Sequence, residues 1–335
     1  MTHRIAINGF GRIGRNVLRA LVEEGYKHDL EIVAVNDLAP IEACAWLLSH
    51  DSAQGLFDAE VRVEEGALVV DGRKIAFLAE KDPTKLPWKD MGVELVMECT
   101  GRFTTKETAL MHVQAGAKKV LISAPGKGVD KTIVFGVNDS TLTAGDVVVS
   151  NASCTTNCLA PLAKVLNDKI GIEDGLVVTV HAVTNNQPIV DMLHKDLRRA
   201  RSGMNNIIPT KTGAASAVGL VIPELAGKLD GYALRVPVIN VSMVDFSVNF
   251  KRDTTIEEID AVLKEASETT LKGVLGFSTG PFVSGDFMHD SHSSIYDQPL
   301  TKLIGRQGKI CSWYDNEWGF SNRMLDTAQK MLEAA

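Results

Sequence analysis

The run Ile5-Ala-Ile-Asn-Gly9-Phe-Gly11-Arg-Ile-Gly14-Arg15 constrains the fold of this chain more than any other stretch. It sets Gly-x-Gly-x-x-Gly between an apolar strand and a segment in which Ile13, Val17, Leu18, Leu21 and Val22 recur at helical spacing before Gly25. Gly25 suits a left-handed helix C-cap. In this setting Gly9 permits a tight turn, Gly11 lets backbone approach a pyrophosphate, and Gly14 lets the helix pack close on the strand. Backbone N–H groups at the helix start then face phosphate oxygens. Asp37 ends a second apolar run, 23 positions after Gly14. Its carboxylate can accept both hydroxyls of an adenosine ribose and would repel a 2′-phosphate, which favours NAD over NADP. Capping of a helix after Pro40 is a second use for the same side chain.

Apolar runs at Ile5 to Asn8, Glu31 to Asn36, Leu95 to Cys99, Lys119 to Ser123, Thr132 to Val137 and Val147 to Ser150 alternate with helical patterns. Such alternation implies an α/β domain with a doubly wound, mainly parallel sheet of the Rossmann type. From Val61 to Phe77 the pattern turns to alternation about Asp71-Gly72, which predicts a hairpin inserted in that sheet. A helix carrying Leu159, Leu162, Val165 and Leu166 precedes strand patterns at Leu176 to Val180 and at Leu234 to Phe250, where Val241 and Met243 alternate. These predict a second, α+β domain with a mainly antiparallel sheet. Thr255-Ile-Glu-Glu258 reads as a capping box, and Met324, Leu325, Ala328, Met331 and Leu332 share one face of a last helix. The expected bounds are residues 1–152 for an NAD-binding domain, 153–317 for a catalytic domain and 318–335 for a C-terminal helix. The boundary at Asn151-Ala152 would leave Cys154 between the domains, where ligand sites favour forming.

With 335 residues, 45% of them hydrophobic, the chain can build two cores. A net charge of -7 argues against general nucleic-acid binding, which needs a basic face. No stretch approaches the roughly 18 apolar residues of a membrane helix, and no apolar signal segment precedes Ile5. Five cysteines are too few, and odd in number, for a secreted disulfide framework, so a reduced, cytoplasmic protein is expected. Cys44, Cys99 and Cys311 read as small core residues.

Chemistry concentrates at Ser153-Cys154-Thr155-Thr156-Asn157-Cys158, between a strand at Asp146 to Ser150 and a helix beginning near Thr156. A thiol at a helix start lies in the positive end of the macrodipole, which favours the thiolate and makes Cys154 a candidate nucleophile. His181, at the end of a strand over Gly175 to Val180, can take its proton and hold the thiolate as an ion pair. A satisfied core histidine is the plainer reading of His181 alone. Cys158, one turn on, falls on the packed side of the helix. Arg198 and Arg201 read as a solvated face, whereas Arg235 sits inside an apolar strand and needs a partner if buried. Thr210-Lys-Thr212-Gly213-Ala-Ala215 brings hydroxyls and backbone donors to a predicted helix start, a second place for an anion. Asn316 offers an amide to a nicotinamide carboxamide. Zinc on Cys154, Cys158 and His181 would have poor ligand spacing, so no metal is expected.

Taken in order, Ile7 to Arg15, Ser150 to Cys158, His181-x-x-Thr184-x-x-Gln187, Ile208 to Ala215 and Trp313-Tyr-Asp-Asn-Glu317 resemble phosphorylating glyceraldehyde-3-phosphate dehydrogenase of the bacterial type. The resemblance spans essentially the whole chain. It implies oxidation of glyceraldehyde 3-phosphate by NAD through a Cys154 thiohemiacetal and thioester, His181 acting as base. Inorganic phosphate would release 1,3-bisphosphoglycerate, in glycolysis or gluconeogenesis. It implies Arg12, Ile13, Asp37, Ser123 and Asn316 as NAD contacts, with Lys81 keeping a backbone contact where relatives often carry arginine. Thr184, Arg199 and Arg235 resemble the substrate-phosphate set; Ser153, Thr155, Thr212 and Gly213 resemble the inorganic-phosphate set. It also implies a homotetramer in which residues 181–207 run along a neighbouring subunit's cofactor and the last helix folds back on the nucleotide domain. Asn186 and Phe320 depart from the pattern. Phe320 and Val236-Pro-Val-Ile-Asn240 are similar to erythrose-4-phosphate dehydrogenases, against which Thr184 and Thr212-Gly213 keep the triose-phosphate pattern.

Overall fold

The strand β1 (His3–Asn8) runs into Gly9, whose φ of 94° suits only glycine, and the helix α1 (Arg12–Glu23) follows at once. The computed structural model describes residues 2–334; Met1 and Ala335, at the ends of the expected domain bounds, lie outside the described residues. The chain divides into two units, one of residues 2–135, 139–153 and 321–334, the other of residues 136–138 and 154–320.

The first unit continues through β2 (Leu30–Asn36), α2 (Ile41–Ser49), a small ladder of β3 (His50–Asp51) with β4 (Gly55–Leu56), β5 (Val61–Glu64), β6 (Ala67–Val70), β7 (Arg73–Leu78), β8 (Leu95–Glu98), α3 (Lys106–Gln114), β9 (Lys119–Ile122), β10 (Lys131–Thr132) and β11 (Val148–Ser150). Its sheet has the order β10-β11-β9-β8-β1-β2-β7-β6-β5. Every pairing from β10 to β7 is parallel, and only the β7–β6 and β6–β5 pairings are antiparallel. Ile5, Ala6 and Ile7 on the central strand are wholly buried, as a parallel strand covered on both faces requires.

The expected hairpin over residues 61–77 is three strands. A second turn at Glu65-Gly66 has positive φ at both residues (51° and 72°), as does Asp71-Gly72 (50° and 74°). The glutamate conceals this turn, because its side chain is not one that marks φ > 0. The run from Thr132 to Val137 buries Ile133 and Val134, but only Lys131–Thr132 forms ladder.

The second unit holds α4 (Cys154–Lys169), β12 (Ile172–Ala182), β13 (Ile208–Lys211), α5 (Ala214–Val221), β14 (Leu229–Val236), β15 (Ser242–Phe250), α6 (Ile256–Glu268), β16 (Leu275–Ser278), β17 (Ser294–Asp297), β18 (Lys302–Ile304) and β19 (Gln307–Tyr314); α7 (Trp318–Glu333) begins here. The sheet order is β13-β14-β12-β15-β19-β17-β16, with β18 on β19. It is mainly antiparallel, with β12–β14 and β16–β17 the parallel pairs. The single pattern read from Leu234 to Phe250 is two strands, β14 and β15, separated where Val241 takes a φ of 68°. Thr255 caps α6 by accepting the Glu258 N–H at 3.2 Å, but the Glu258 carboxylate turns to Arg252 and Thr254 instead of closing the box.

Candidate active site

In the first unit a cavity lies at the C-terminal ends of the parallel strands, lined by Asn8, Gly9, Gly11, Asn36, Asp37, Glu80, Lys81 and Thr100 among others. This is where an open α/β sheet binds nucleotides. Asp37 accepts the Phe10 N–H at 2.7 Å and the Ala39 N–H at 2.9 Å, so its carboxylate is pinned to the glycine turn at the cavity wall. It does not cap α2, whose N-cap is Pro40. Of the other residues expected here, Arg12 pairs with Asp51, Gly14 supports the turn from behind, and the Ser123 N–H donates to the Glu98 carbonyl at 3.0 Å.

A buried polar network underlies this cavity. The Glu98 carboxylate accepts Asn8 Nδ2 at 2.6 Å, His112 Nε2 at 3.1 Å, the Thr100 N–H at 2.8 Å and the Thr100 hydroxyl. Trp88 Nε1–H donates to His112 Nδ1 at 3.1 Å, which leaves the histidine proton on Nε2, facing Glu98. Asn8 Oδ1 in turn accepts Asn36 Nδ2, and Asn36 exchanges two bonds with the backbone of Glu80.

In the second unit α4 opens on Cys154 itself, two residues earlier than expected, and Ala152 just before it holds a φ of 57°, a sharp elbow for a residue with a Cβ. Cys154 Sγ lies 3.5 Å from His181 Nε2. His181 is set by register: in the parallel β12–β14 pair it stands opposite Arg235. Arg235 Nη1 contacts His181 Nδ1 and donates to the Ala182 carbonyl at 3.0 Å. The Arg235 Nε is buried and has no hydrogen-bond partner among the described residues. The imidazole meets the Tyr314 ring edge-on, and the Tyr314 hydroxyl bridges Thr155 and Thr179 at 2.8 Å each.

The electrostatics differ from the sequence expectation. Burial pushes the Cys154 thiol up, against Arg235 and the donors at Thr155. Burial, then Arg235, lowers His181 to about 3. Both shifts run against a thiolate–imidazolium pair, and at each group burial is the largest cause. Cys158 faces Ser294 and Ser312 in the core and is pushed up to about 12 by burial.

Arg199 Nε donates to the Thr210 hydroxyl at 2.7 Å, Gln187 Oε1 accepts both the N–H and the hydroxyl of Thr184, and the Thr212 hydroxyl accepts the Ala214 N–H at 3.2 Å beside Gly213, the N-cap of α5. Asn316 is held by Ser242, whose hydroxyl donates to Asn316 Oδ1 at 2.8 Å.

Comparison with known proteins gives this geometry a family. A model of the glyceraldehyde 3-phosphate dehydrogenase NAD binding domain matches residues 3–106, and one of the C-terminal domain of the same enzyme matches residues 153–316. The plasmid-borne glyceraldehyde-3-phosphate dehydrogenase of Cupriavidus necator is 58% identical over 335 residues, the full length of both chains. The chain belongs to the glyceraldehyde-3-phosphate dehydrogenase family. The glyceraldehyde-3-phosphate dehydrogenase of Pseudomonas aeruginosa is 57% identical over 100% of this chain and 99% of its own length, and glyceraldehyde-3-phosphate dehydrogenase 1 of Bacillus subtilis is 54% identical over 98% of each.

This glyceraldehyde-3-phosphate dehydrogenase family member is therefore an NAD-dependent oxidoreductase acting on an aldehyde group. The first unit fits NAD: a Cβ at Gly11 would meet nothing within 4 Å, which leaves the backbone open to a pyrophosphate, and Asp37 stands beside it on the cavity wall. Tyr314, Thr179, Ser242 and the Glu98–His112 pair were not singled out by sequence reasoning. Tyr314 lies in a quoted motif, but its role depends on cross-strand neighbours that no local pattern reports.

Proposed function

We propose that this chain oxidises glyceraldehyde 3-phosphate with NAD and inorganic phosphate to 1,3-bisphosphoglycerate, a step of glycolysis or gluconeogenesis in the cytoplasm. The observation that carries the reading is the 3.5 Å approach of Cys154 Sγ to His181 Nε2, with the unpartnered Nε of Arg235 beside it. Cys154 Sγ adds to the aldehyde carbon, and its proton passes by way of His181 to the carbonyl oxygen, giving a thiohemiacetal. His181 then takes the hydroxyl proton as that carbon is oxidised to the thioester, the hydride acceptor being what NAD supplies when bound. An oxygen of inorganic phosphate attacks the thioester carbon, and Cys154 leaves as thiolate and regains its proton from His181.

Arg235 has two consequences in this scheme. Its fork suits the substrate phosphate, together with Thr184 and Arg199. Its charge also adds to burial, the larger cause, in lowering His181. A phosphate dianion seated on Arg235 offsets that charge, so the base strengthens as substrate arrives. Ser153, Thr155, Thr212 and Gly213 are assigned to inorganic phosphate. Gly9, Gly11, Arg12, Ile13, Gly14, Asp37, Lys81 and Ser123 are assigned to the dinucleotide. Asn316 is assigned to the nicotinamide carboxamide, its Oδ1 being held by the Ser242 hydroxyl.

We also infer a homotetramer. Between positions 189 and 207, Ile189, Val190, Met192, Leu193, Leu197, Met204 and Ile207 are exposed, more apolar surface than one loop of a monomer presents. Among the described residues no helix is long and apolar enough to cross a membrane.

NADH formation from glyceraldehyde 3-phosphate should require inorganic phosphate, prefer NAD to NADP, and fall at least about a thousandfold in Cys154→Ser. Full turnover in that variant would overturn the reading. A higher specificity constant for erythrose 4-phosphate, insensitive to phosphate, would select the four-carbon alternative raised by Phe320 and residues 236–240.

A further inference from the structure

We propose that Ser242 is a positioning residue for the nicotinamide, acting by fixing which end of the Asn316 amide is presented to it. The inference rests on the reading that Asn316 receives the carboxamide.

A serine hydroxyl has one hydrogen to donate and lone pairs to accept. Ser242 is 1% exposed, and its Oγ accepts the Ala182 N–H at 3.0 Å. Its own hydrogen goes to Asn316 Oδ1 at 2.8 Å, the only acceptor it reaches among the described residues. Turning the amide over would leave that buried hydrogen without an acceptor and set NH2 against the hydroxyl. Nδ2 therefore points away from Ser242 and is left to donate to a ligand carbonyl. The same hydroxyl is bonded to the peptide next to His181, so one atom ties the base's strand to the amide that orients the acceptor ring.

The backbone around it points the same way. Asn240 Nδ2 donates to Asp315 Oδ2 at 2.8 Å, and Asp315 also accepts the N–H groups of His289, Glu317 and Trp318. Residues 240 and 242 thus hold residues 315 and 316. Between them Val241 has a φ of 68°, a strained conformation for a β-branched residue. It persists because Val241 is buried against Phe287, Ile295 and Trp313. Strain of this kind is kept where the surroundings over-determine it, commonly beside a functional group.

The test is equilibrium binding of NAD and of ADP-ribose, which lacks the nicotinamide, to the full chain and to its Ser242→Ala, Ser242→Thr and Asn316→Ala variants by titration calorimetry. Ser242→Ala should weaken NAD about tenfold and leave ADP-ribose within about twofold, and Ser242→Thr, which keeps the hydroxyl, should restore NAD. ADP-ribose binding reports the fold of each variant. A parallel loss of both ligands in Ser242→Ala, or no loss of either, overturns the proposal. A shifted NAD to ADP-ribose ratio in Asn316→Ala but not in Ser242→Ala overturns the role of Ser242 alone. An unchanged ratio in Asn316→Ala overturns the reading of Asn316 itself.

Discussion

The Cβ that Gly14 lacks would stand 2.1 Å from the carbonyl oxygen of Gly9. At Gly11, three residues earlier, the same atom would meet nothing within 4 Å. One fingerprint thus contains a glycine required by the fold and a glycine required only by what approaches it.

The two separate by mutation. Gly14→Ala must displace backbone and should lower stability by about 1–3 kcal/mol or more, seen as a reduced denaturant midpoint. Gly11→Ala should keep the midpoint and weaken NAD binding in a direct titration, because the methyl occupies space the pyrophosphate needs. Equal midpoints for both variants would contradict this division.

His181 gives the folded chain an acid-side weakness. Its folded value of about 3 lies below the ordinary value of roughly 6.5. Between those values the unfolded chain binds a proton that the folded chain refuses, so stability falls as pH falls through that window and is level above it. Wild type should lose up to about 1.4 kcal/mol per pH unit more than His181→Asn between pH 6 and pH 4. Urea midpoints measured for both proteins across that range check the slope; parallel lines would show that the buried imidazole is not its source.

Tyr314 stands between two hydroxyls, those of Thr155 and Thr179, and is itself buried. Tyr314→Phe keeps the ring against His181 and removes the bridge. The expected cost is about 1–2 kcal/mol of stability with less than about a tenfold loss in kcat, measured by denaturation and by NADH formation. A loss of activity comparable to that of Cys154→Ser would mean that the hydroxyl enters the chemistry directly.

What the sequence revealed follows how far each interaction reaches along the chain. The glycine turn, Asp37 and the thiol at a helix start depend on neighbours a few residues away or on a spacing set by one strand–helix–strand unit, and these were legible. The contact of Arg235 with His181 depends on the parallel register of β12 with β14, across 54 positions, and nothing in either segment states that register. Ser242 is less legible still, since its role comes from Asn316 on another strand's end. The upward shift of the Cys154 thiol was not legible for a different reason. The macrodipole is a local property, whereas desolvation is set by everything folded around the sulfur, and burial was the larger effect.

The network beneath the nucleotide cavity bears on how variants of this enzyme will be classified. Trp88 and His112 are wholly buried and neither lines the cavity, yet they are joined to its wall through Glu98, Asn8 and Asn36. A substitution at either leaves buried partners unpaired along that route. In a screen scored by growth or turnover, both positions would sort with the residues that touch the cofactor. A map of the binding site drawn from mutational sensitivity alone would be larger than the site, and extended toward α3.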